Sequence, residues 1–472
     1  MMAQENTAAV QSDDVDAATN AMAIRALIPL LITFILGTLC LQGFNLVFEQ
    51  VGSDVGASAG QASLITALPG IVLGIVCFIY GSLGDFVSLK KLVVVGLVTL
   101  LVGSLFGFIA NFFFSSNLWT VIIARVLQTA GEQVAGSAYL VVATKYLRNS
   151  LKVVFFGLFT AGYQLSASIG VFAAGWLSTI HWQYLFLIPS VTILFLPMLL
   201  KNLPDQNGSG DKVDGWGFAI FGVATAFLTL FFSYSNWWLL GVAFVLFVVF
   251  GIYINKAGNP FVTPDFFKNT RWIMAISLIA VFYFVNYCIS PIFNAIARDV
   301  YGMETSTVSN YLVWAFVVAA IVGTSSGAII GKIGRQTALI TAGCLMLIGF
   351  VGSALAVNAG FLTLTLMACV FYAGTGLMYS PVVSTVLDTL PKEESGRGVG
   401  MNDLIMNVTA SIGISVIGGM MSTAGNASGS LIGATGAAAG YSNLLLICGG
   451  VILLGLIVFL VFRKRIYSDS QA

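Results

Sequence analysis

The sequence has few charged residues, a single histidine and no paired cysteine motif. Only 8% of its 472 residues are charged, whereas soluble domains carry roughly a quarter. The six cysteines lie in apolar runs without CxxC spacing, which argues against a disulfide framework and a metal site. The lone His181 cannot form a triad. We therefore expect no enzyme, no metal and no cofactor.

Long apolar runs are abundant, and 58% of the residues are hydrophobic. The net charge of +1, without a separate basic tract, argues against a nucleic-acid partner. A membrane helix needs about 20 apolar residues. With that window the sequence predicts an all-α membrane protein with fourteen transmembrane helices, at 24–48, 61–82, 91–111, 118–144, 151–175, 181–200, 214–234, 236–254, 270–293, 305–331, 337–357, 361–388, 398–421 and 441–463.

The distribution of Lys and Arg orients these spans. All of the 20 basic residues except Arg125 and Arg298 flank the spans on one side, which the positive-inside rule identifies as cytoplasmic. Both termini are therefore expected inside, as a disordered acidic tail over 1–23 and a short tail over 464–472. A twelve-span alternative would leave 214–234 and 236–254 outside the membrane, and their Phe- and Trp-rich composition argues against it.

Two loops, about half a chain apart, resemble each other. Tyr80–Lys91 and Gly327–Gln336 each place a glycine at a helix end, then a tight turn and basic residues, which indicates an internal duplication. The first copy resembles the loop motif of the major facilitator superfamily. The matching residues are Gly81, Leu83, Asp85 and Lys90.

Further segments narrow the resemblance. Ile123–Gly131 is similar to the fourth-helix motif of drug/proton antiporters, and Ile180–Pro189, Asn259–Asn269 and the stretch from Tyr441 resemble the fourteen-helix tetracycline-efflux proteins of Gram-positive bacteria. The resemblance implies the major facilitator fold. In this fold, two six-helix bundles (24–200 and 270–463) are separated in the sequence by two extra transmembrane helices (214–254). It also implies a monomeric, proton-coupled exporter in the bacterial cytoplasmic membrane.

Arg125 and Glu132 are the most informative residues of the chain. They lie seven residues apart in the apolar run 118–145, with Gln128 on the same helix face. A charge in the hydrocarbon core costs at least about 2.5–3.5 kcal/mol and usually marks a pathway or a proton relay. We predict that Glu132 is a proton-coupling carboxyl group assisted by Arg125. The alternative is a structural pair that joins helices.

Two acidic residues flank the turn before the thirteenth span. Asp403 is expected to serve in proton coupling or to face the cavity, or else to be a helix-end charge stabilised by the macrodipole. Asp388 is interpreted as a gate charge, with Lys392 as its candidate partner.

The loop motif supplies a second gate. The resemblance implies that Asp85 pairs with inner basic residues, with Lys90 and Lys91 following it, and latches the two halves together. The alternative is a simple turn former. At the outer end of the first span, Glu49 and Asp54 are expected to be solvated.

Polar residues near aromatic ones suggest a binding cavity for a planar amphiphile, although each alone also fits ordinary helix packing. The candidates are Asn45, Gln128, Asn286, Tyr287, Asn294, Asn310, Trp314 and Tyr379. The leading hypothesis is a proton-driven exporter of amphiphilic drugs, tetracycline-like by resemblance. The rivals are a carrier of a sugar, an anion or a metabolite with the same fold, and an intramembrane enzyme.

Overall fold

The structure is a computed structural model that describes residues 16–83, 87–204, 213–391, 395–424, 427 and 429–468. Its elements are helical. The α-helices are α1 (Ala17–Asp54), α2 (Ala59–Ala62), α3 (Leu64–Leu83), α4 (Leu89–Phe112), α5 (Leu118–Glu132), α6 (Val134–Tyr146), α7 (Asn149–Leu177), α8 (Leu187–Ser190), α9 (Leu196–Asn202), α10 (Gly215–Tyr234), α11 (Trp237–Lys256), α12 (Pro264–Lys268), α13 (Thr270–Phe284), α14 (Ile289–Tyr301), α15 (Thr305–Ile333), α16 (Arg335–Leu355), α17 (Phe361–Leu387), α18 (Ser395–Ala424) and α19 (Ala437–Ile466).

Within the described residues, thirteen helical stretches are long and apolar enough to cross a membrane. The fourth predicted span is different, because it consists of two shorter helices, α5 and α6, that meet at Gln133. The sixth is also irregular, since 3₁₀ turns at Trp182–Phe186 and Val191–Phe195 flank α8. The ninth predicted span, 270–293, is interrupted as well, since α13 ends at Phe284 and α14 begins at Ile289. The chain is an integral membrane protein with irregular spans in both halves.

The spans form two halves, α1–α9 and α13–α19. Helix α7 packs along α15, and α3 along α18. Helices α7 and α15 run antiparallel, because Gly175 faces Ser309 while Gly323 faces Thr160. Arg271 at the start of α13 donates a hydrogen bond to the carbonyl of Ile466, near the end of α19, at 3.0 Å. We call the end of the bundle that carries the starts of α1 and α13 and the end of α19 the terminal end, and the other the opposite end.

Asp214 joins the start of α10 to the end of α11 and to the segment that follows α11. Its carboxylate caps α10 by accepting a hydrogen bond from the N–H of Gly217 at 2.9 Å, and it also accepts from the N–H of Phe261 at 2.9 Å and from the hydroxyl of Tyr253. The stacked rings of Phe218 and Phe261, 4.2 Å apart, then meet Phe78 of α3. The α10–α11 hairpin is thereby held against α3 and α18.

Glycine 170 allows α1 and α7 to pack closely. A Cβ atom added at Gly170 would lie 1.9 Å from the carbonyl oxygen of Leu39 in α1, so no larger residue fits without moving a backbone. Small residues of this kind set the approach of membrane helices, because lipid supplies no hydrophobic force between them. In contrast, a Cβ added at Gly157 of the same helix meets no atom within 4 Å.

We predict that Gly170→Ala lowers the stability of the first half by about 1–3 kcal/mol, since the added methyl group overpacks the α1–α7 contact. Gly157→Ala is the matched control and should be neutral or slightly stabilising, as alanine is the better helix former. Thermal unfolding of the purified protein in detergent measures both. Equal melting temperatures for the two variants would contradict the predicted close contact.

Candidate functional site

A cavity of about 500 Å³ lies between the two halves, within the range of small-molecule sites. Helices of both halves form its wall, and nine of the residues that line it are aromatic. These nine are Phe34, Phe156, Phe159, Tyr163, Tyr283, Tyr287, Phe316, Tyr372 and Tyr379. Asp403 is the one charged side chain among the described lining residues.

The cavity extends toward the terminal end of the bundle. Its lining reaches Phe156, two turns into α7, and Ser384, one turn before the end of α17. Toward the opposite end the lining stops at Gln42, Ala167 and Phe316, near the middle of their helices. In this conformation the cavity therefore approaches the terminal end and stops short of the opposite end.

Contacts between α1 and the α13–α14 segment close the opposite end. The side-chain amide of Asn45 donates to the carbonyl of Tyr287 at 2.9 Å, and that of Asn294 donates to the carbonyl of Leu46 at 3.1 Å. Both asparagines are almost fully buried. They connect the two halves between the cavity and the opposite end. The structure therefore places these two binding candidates in the contacts that close this end and not in the cavity wall.

An ion pair completes this closure. Arg298 of α14 contacts Glu49 of α1 at 3.0 Å and its neighbour Asp299 at 2.7 Å, while the hydroxyl of Tyr441 from α19 donates to Asp299. The side chain of Glu49 is only 9% exposed. The expectation that Glu49 is solvated is wrong, because α14 brings Arg298 over it. Asp54 accepts a hydrogen bond from the indole of Trp182 at 2.9 Å.

Asp403 lies on the wall of the cavity, on the second half. Tyr379 interacts with its carboxyl group from α17. One turn further along α18, Asn407 accepts a hydrogen bond from the hydroxyl of Tyr287 at 3.0 Å. The position gives the cavity one anionic site surrounded by tyrosine rings, which suits a ligand with a positive charge and an aromatic body.

Arg125 is held away from Glu132. Its Nη1 donates to Gln128 at 2.7 Å, and its guanidinium carbon lies 4.9 Å from the centre of the Phe44 ring. Gln128 in turn donates to Ser104 at 2.9 Å and to the carbonyl of Phe186 at 3.2 Å. Gln128 therefore orients Arg125 inside the first half. Neither residue lines the cavity, although Gln128 was a binding candidate.

Glu132 is buried, and neither carboxyl oxygen accepts a well-formed hydrogen bond among the described residues, although the hydroxyl of Thr129, one turn earlier in α5, lies close enough to interact with the carboxyl group. It is the last residue of α5, at the break between α5 and α6. The next residue, Gln133, lines the cavity while Glu132 does not. An ionised carboxylate in such a place costs several kcal/mol, so Glu132 must be protonated or else paired after a rearrangement.

The remaining binding candidates separate into two groups. Asn286, Tyr287 and Tyr379 line the cavity. Asn310 instead accepts a hydrogen bond from the indole of Trp176 at 3.3 Å, next to the α7–α15 contact, and Trp314 is 61% exposed on the surface of the bundle. Trp314 therefore lies outside the cavity wall, because it occupies another face of α15 than Phe316.

The gate candidates are also resolved in part. Asp388 forms an ion pair with Arg335 at the start of α16. The expected partner Lys392 lies outside the described part of the chain, so a pairing of Asp388 with Lys392 stays a prediction. Asp85 lies outside the described residues as well. Lys90 is half-buried and Lys91 exposed at the start of α4.

Sequence reasoning missed the wall that α7 contributes. Six residues of α7 line the cavity at helical spacing, Phe156, Phe159, Thr160, Tyr163, Gln164 and Ala167. Their recurrence at i, i+3, i+4 and i+7 is one continuous helix face. This periodicity was the available signal, but it does not reveal whether a face contacts a cavity or another helix.

Comparison with known proteins agrees with this architecture. The sequence model of the family described as Major Facilitator Superfamily matches residues 30–414, which is most of the chain. The chain belongs to the Major Facilitator Superfamily. Solved structures with low sequence identity share the fold. The POT family transporter PepTSo aligns with a TM-score of 0.67 at 13% identity, over 94% of this chain and 99% of that one. The nucleoside transporter NupG aligns with a TM-score of 0.62 at 11% identity, over 93% of this chain and 99% of that one.

The curated proteins with detectable similarity include two that are named transporters and one that is named a multidrug resistance protein. The Multidrug transporter protein MdtP of Bacillus subtilis is 25% identical over 73% of this chain and 65% of its own length. The Riboflavin transporter RibZ of Clostridioides difficile is 20% identical over 78% of this chain and 82% of its own. The Multidrug resistance protein Stp of Mycobacterium tuberculosis is 21% identical over 35% of this chain and 31% of its own. These alignments span less than two thirds of the length of MdtP and of Stp.

We predict that Arg298→Gln shifts this protein toward opening at the opposite end, because it removes the charge that joins Glu49 to α14. A loss of about 1 kcal/mol of coupling changes the ratio of the two states about five-fold. Spin labels at Ser53 and Glu304, both exposed and in different halves, report the change as a longer distance. Asp265→Asn, which breaks an exposed ion pair within α12, is the control. Identical distance distributions in Arg298→Gln and the control would refute the closing role.

Proposed function

We propose that this transporter exports planar amphiphiles with a positive charge in exchange for protons, by alternating access. The observation that carries the proposal is the carboxyl group of Asp403, the single charged side chain among the described residues that line an aromatic cavity extending toward one end of the bundle. A carboxylate attracts the charged nitrogen of such a ligand, and the tyrosine and phenylalanine rings pack on its flat body. Tetracycline-type drugs are candidates on the sequence resemblance.

The orientation follows from the basic residues. The Lys and Arg residues concentrate beside the terminal end, and the positive-inside rule assigns such a side to the cytoplasm. The cavity is then accessible from the cytoplasm and closed to the outside. A drug would enter from the cytoplasm or the inner leaflet and leave after the contacts at Glu49, Asn45 and Asn294 have opened.

Glu132 is our candidate for the proton carrier. Its carboxyl group accepts no well-formed hydrogen bond within the described residues, with Thr129 as its polar neighbour, and Nε of Arg125 has no partner there either. When Glu132 loses its proton, its charge attracts Arg125 on the same helix. A change in the side-chain conformation of both residues would let them pair and would move the α5–α6 break that follows Glu132. Pairing would offset the cost of burying the carboxylate. The break next to Gln133 thus connects the protonation of Glu132 to the shape of the cavity wall.

A second candidate function has one specific observation in its favour. RibZ, a riboflavin transporter, matches a larger share of this chain than MdtP does. An aromatic cavity of about 500 Å³ also fits a flat, neutral metabolite. The two functions differ in charge, so Asp403 distinguishes them.

We predict that Asp403→Asn weakens binding of ethidium, a planar cation, at least ten-fold, which corresponds to about 1.4 kcal/mol. Binding of riboflavin should change little, since it offers no cation. Fluorescence titration of the purified protein measures both ligands. The control is Asp388→Asn, which removes a carboxylate outside the cavity. Unchanged ethidium affinity in Asp403→Asn would refute the cationic substrate class.

We predict that Glu132→Gln abolishes transport driven by a pH gradient but retains exchange of drug for drug. Glutamine has the size of glutamate but cannot release a proton, so only the coupled movement should fail. Proteoliposomes with and without a pH gradient, loaded with unlabelled drug, separate the two activities. Glu304→Gln, at an exposed position, is the control. Gradient-driven transport at the normal rate in Glu132→Gln would rule out its coupling role.

A further inference from the structure

A second cavity, of about 450 Å³, opens on the outer surface of the first half at the terminal end. It lies between the first turns of α1 and the last turn of α9, two helices in contact. Its lining consists of Ala18, Ala21, Met22, Arg25, Lys201 and Asn202. The cavity is separate from the cavity between the halves, and no step of transport described above uses it.

The charge of this cavity is positive. Arg25 and Lys201 are exposed, and neither has an ion-pair partner among the described residues. The carboxylate of Asp16, at the start of α1, forms its hydrogen bond with Thr19 and no ion pair with Arg25 or Lys201 among the described contacts. Its side chain caps the helix, and hydrogen bonds from Thr19 lower its pKa, as does the charge of Arg148. Two cations therefore face a small opening, and they attract an anion.

Below the two cations the surface becomes apolar. On α1 the exposed Ile28 and Ile32 follow Arg25 at i+3 and i+7, on the same helix face. On the adjoining element the exposed Met198 and Leu194 precede Lys201 at i−3 and i−7. The groove therefore carries two cations at the terminal end of the bundle and a strip of aliphatic side chains toward the membrane interior.

We propose that this groove binds an anionic phospholipid. Its phosphate would lie between Arg25 and Lys201, and an acyl chain would extend along the aliphatic strip. Basic pockets between helices at the cytoplasmic surface bind anionic headgroups in this manner. The small side chains of Ala18 and Ala21 leave room for the headgroup. A free phosphate ion would use the two cations but not the strip, so the continuity of the strip with the cations selects the lipid.

The lipid also has a structural consequence. Helix α1 packs on α9 at the groove and carries Glu49 and Asn45 of the closure at its other end. A lipid that spans the groove contacts both helices and so stabilises their junction. We therefore expect dioleoyl phosphatidylglycerol to raise the melting temperature of the purified protein.

The test is native mass spectrometry of the detergent-purified chain with dioleoyl phosphatidylglycerol. The double variant Arg25→Gln/Lys201→Gln should bind this lipid about 30-fold more weakly, since each basic residue contributes about 1 kcal/mol. The matched control is Lys256→Gln/Lys332→Gln, which removes two exposed cations outside the groove. It should retain the affinity. An equal loss in both variants would mean general attraction of anions and would overturn the site.

A further variant and further probes test the groove itself. Ala21→Trp fills the groove but keeps both cations, so it should lose the lipid as well. Ala21→Trp with normal lipid affinity would overturn the proposed position. Dioleoyl phosphatidylcholine should bind weakly, because it has no net charge. Inorganic phosphate that competes with the lipid at equal concentration would show that the acyl chain contributes nothing, which would also overturn the proposal.

Discussion

A carboxyl group buried in the first half without an ion-pair partner is the constraint on which this structure depends. Among the described residues neither oxygen of Glu132 accepts a well-formed hydrogen bond, and only the hydroxyl of Thr129 is near, although Arg125 lies on the same helix. The protein occupies the guanidinium with Gln128 and Phe44 instead. Such a group is tolerated only while neutral or after pairing. Glu132 adjoins the α5–α6 break, where Gln133 lines the cavity. A change in the protonation or pairing of Glu132 can therefore change the cavity wall at this point.

The two ends of the bundle are arranged consistently with this constraint. Contacts across the halves at the opposite end include Asn45, Asn294 and the pair Glu49–Arg298. The cavity extends toward the terminal end and has Asp403 among tyrosines on its wall. Asp403 thus faces a cavity, whereas Glu132 is enclosed in the first half. The first suits recognition of a cation, and the second suits storage of a proton.

Sequence reasoning predicted the membrane class, the helical fold and the superfamily, because apolar runs and loop motifs are local signals. It also selected Tyr287, Tyr379 and Asp403, which the structure places on the cavity wall. It could not find the partner of Glu49, since Arg298 is 249 residues away in the chain. Likewise the aromatic face of α7 was visible as a pattern, but only packing decides what it faces. Long-range contacts are the part that the sequence leaves open.

The most direct test of the account is the release of protons when a drug binds to the purified protein in weakly buffered detergent solution. The account predicts that ethidium displaces protons from the wild-type protein near neutral pH. It also predicts that Glu132→Gln binds ethidium but releases fewer protons. Binding of ethidium to the wild-type protein without any change in proton content would contradict the account.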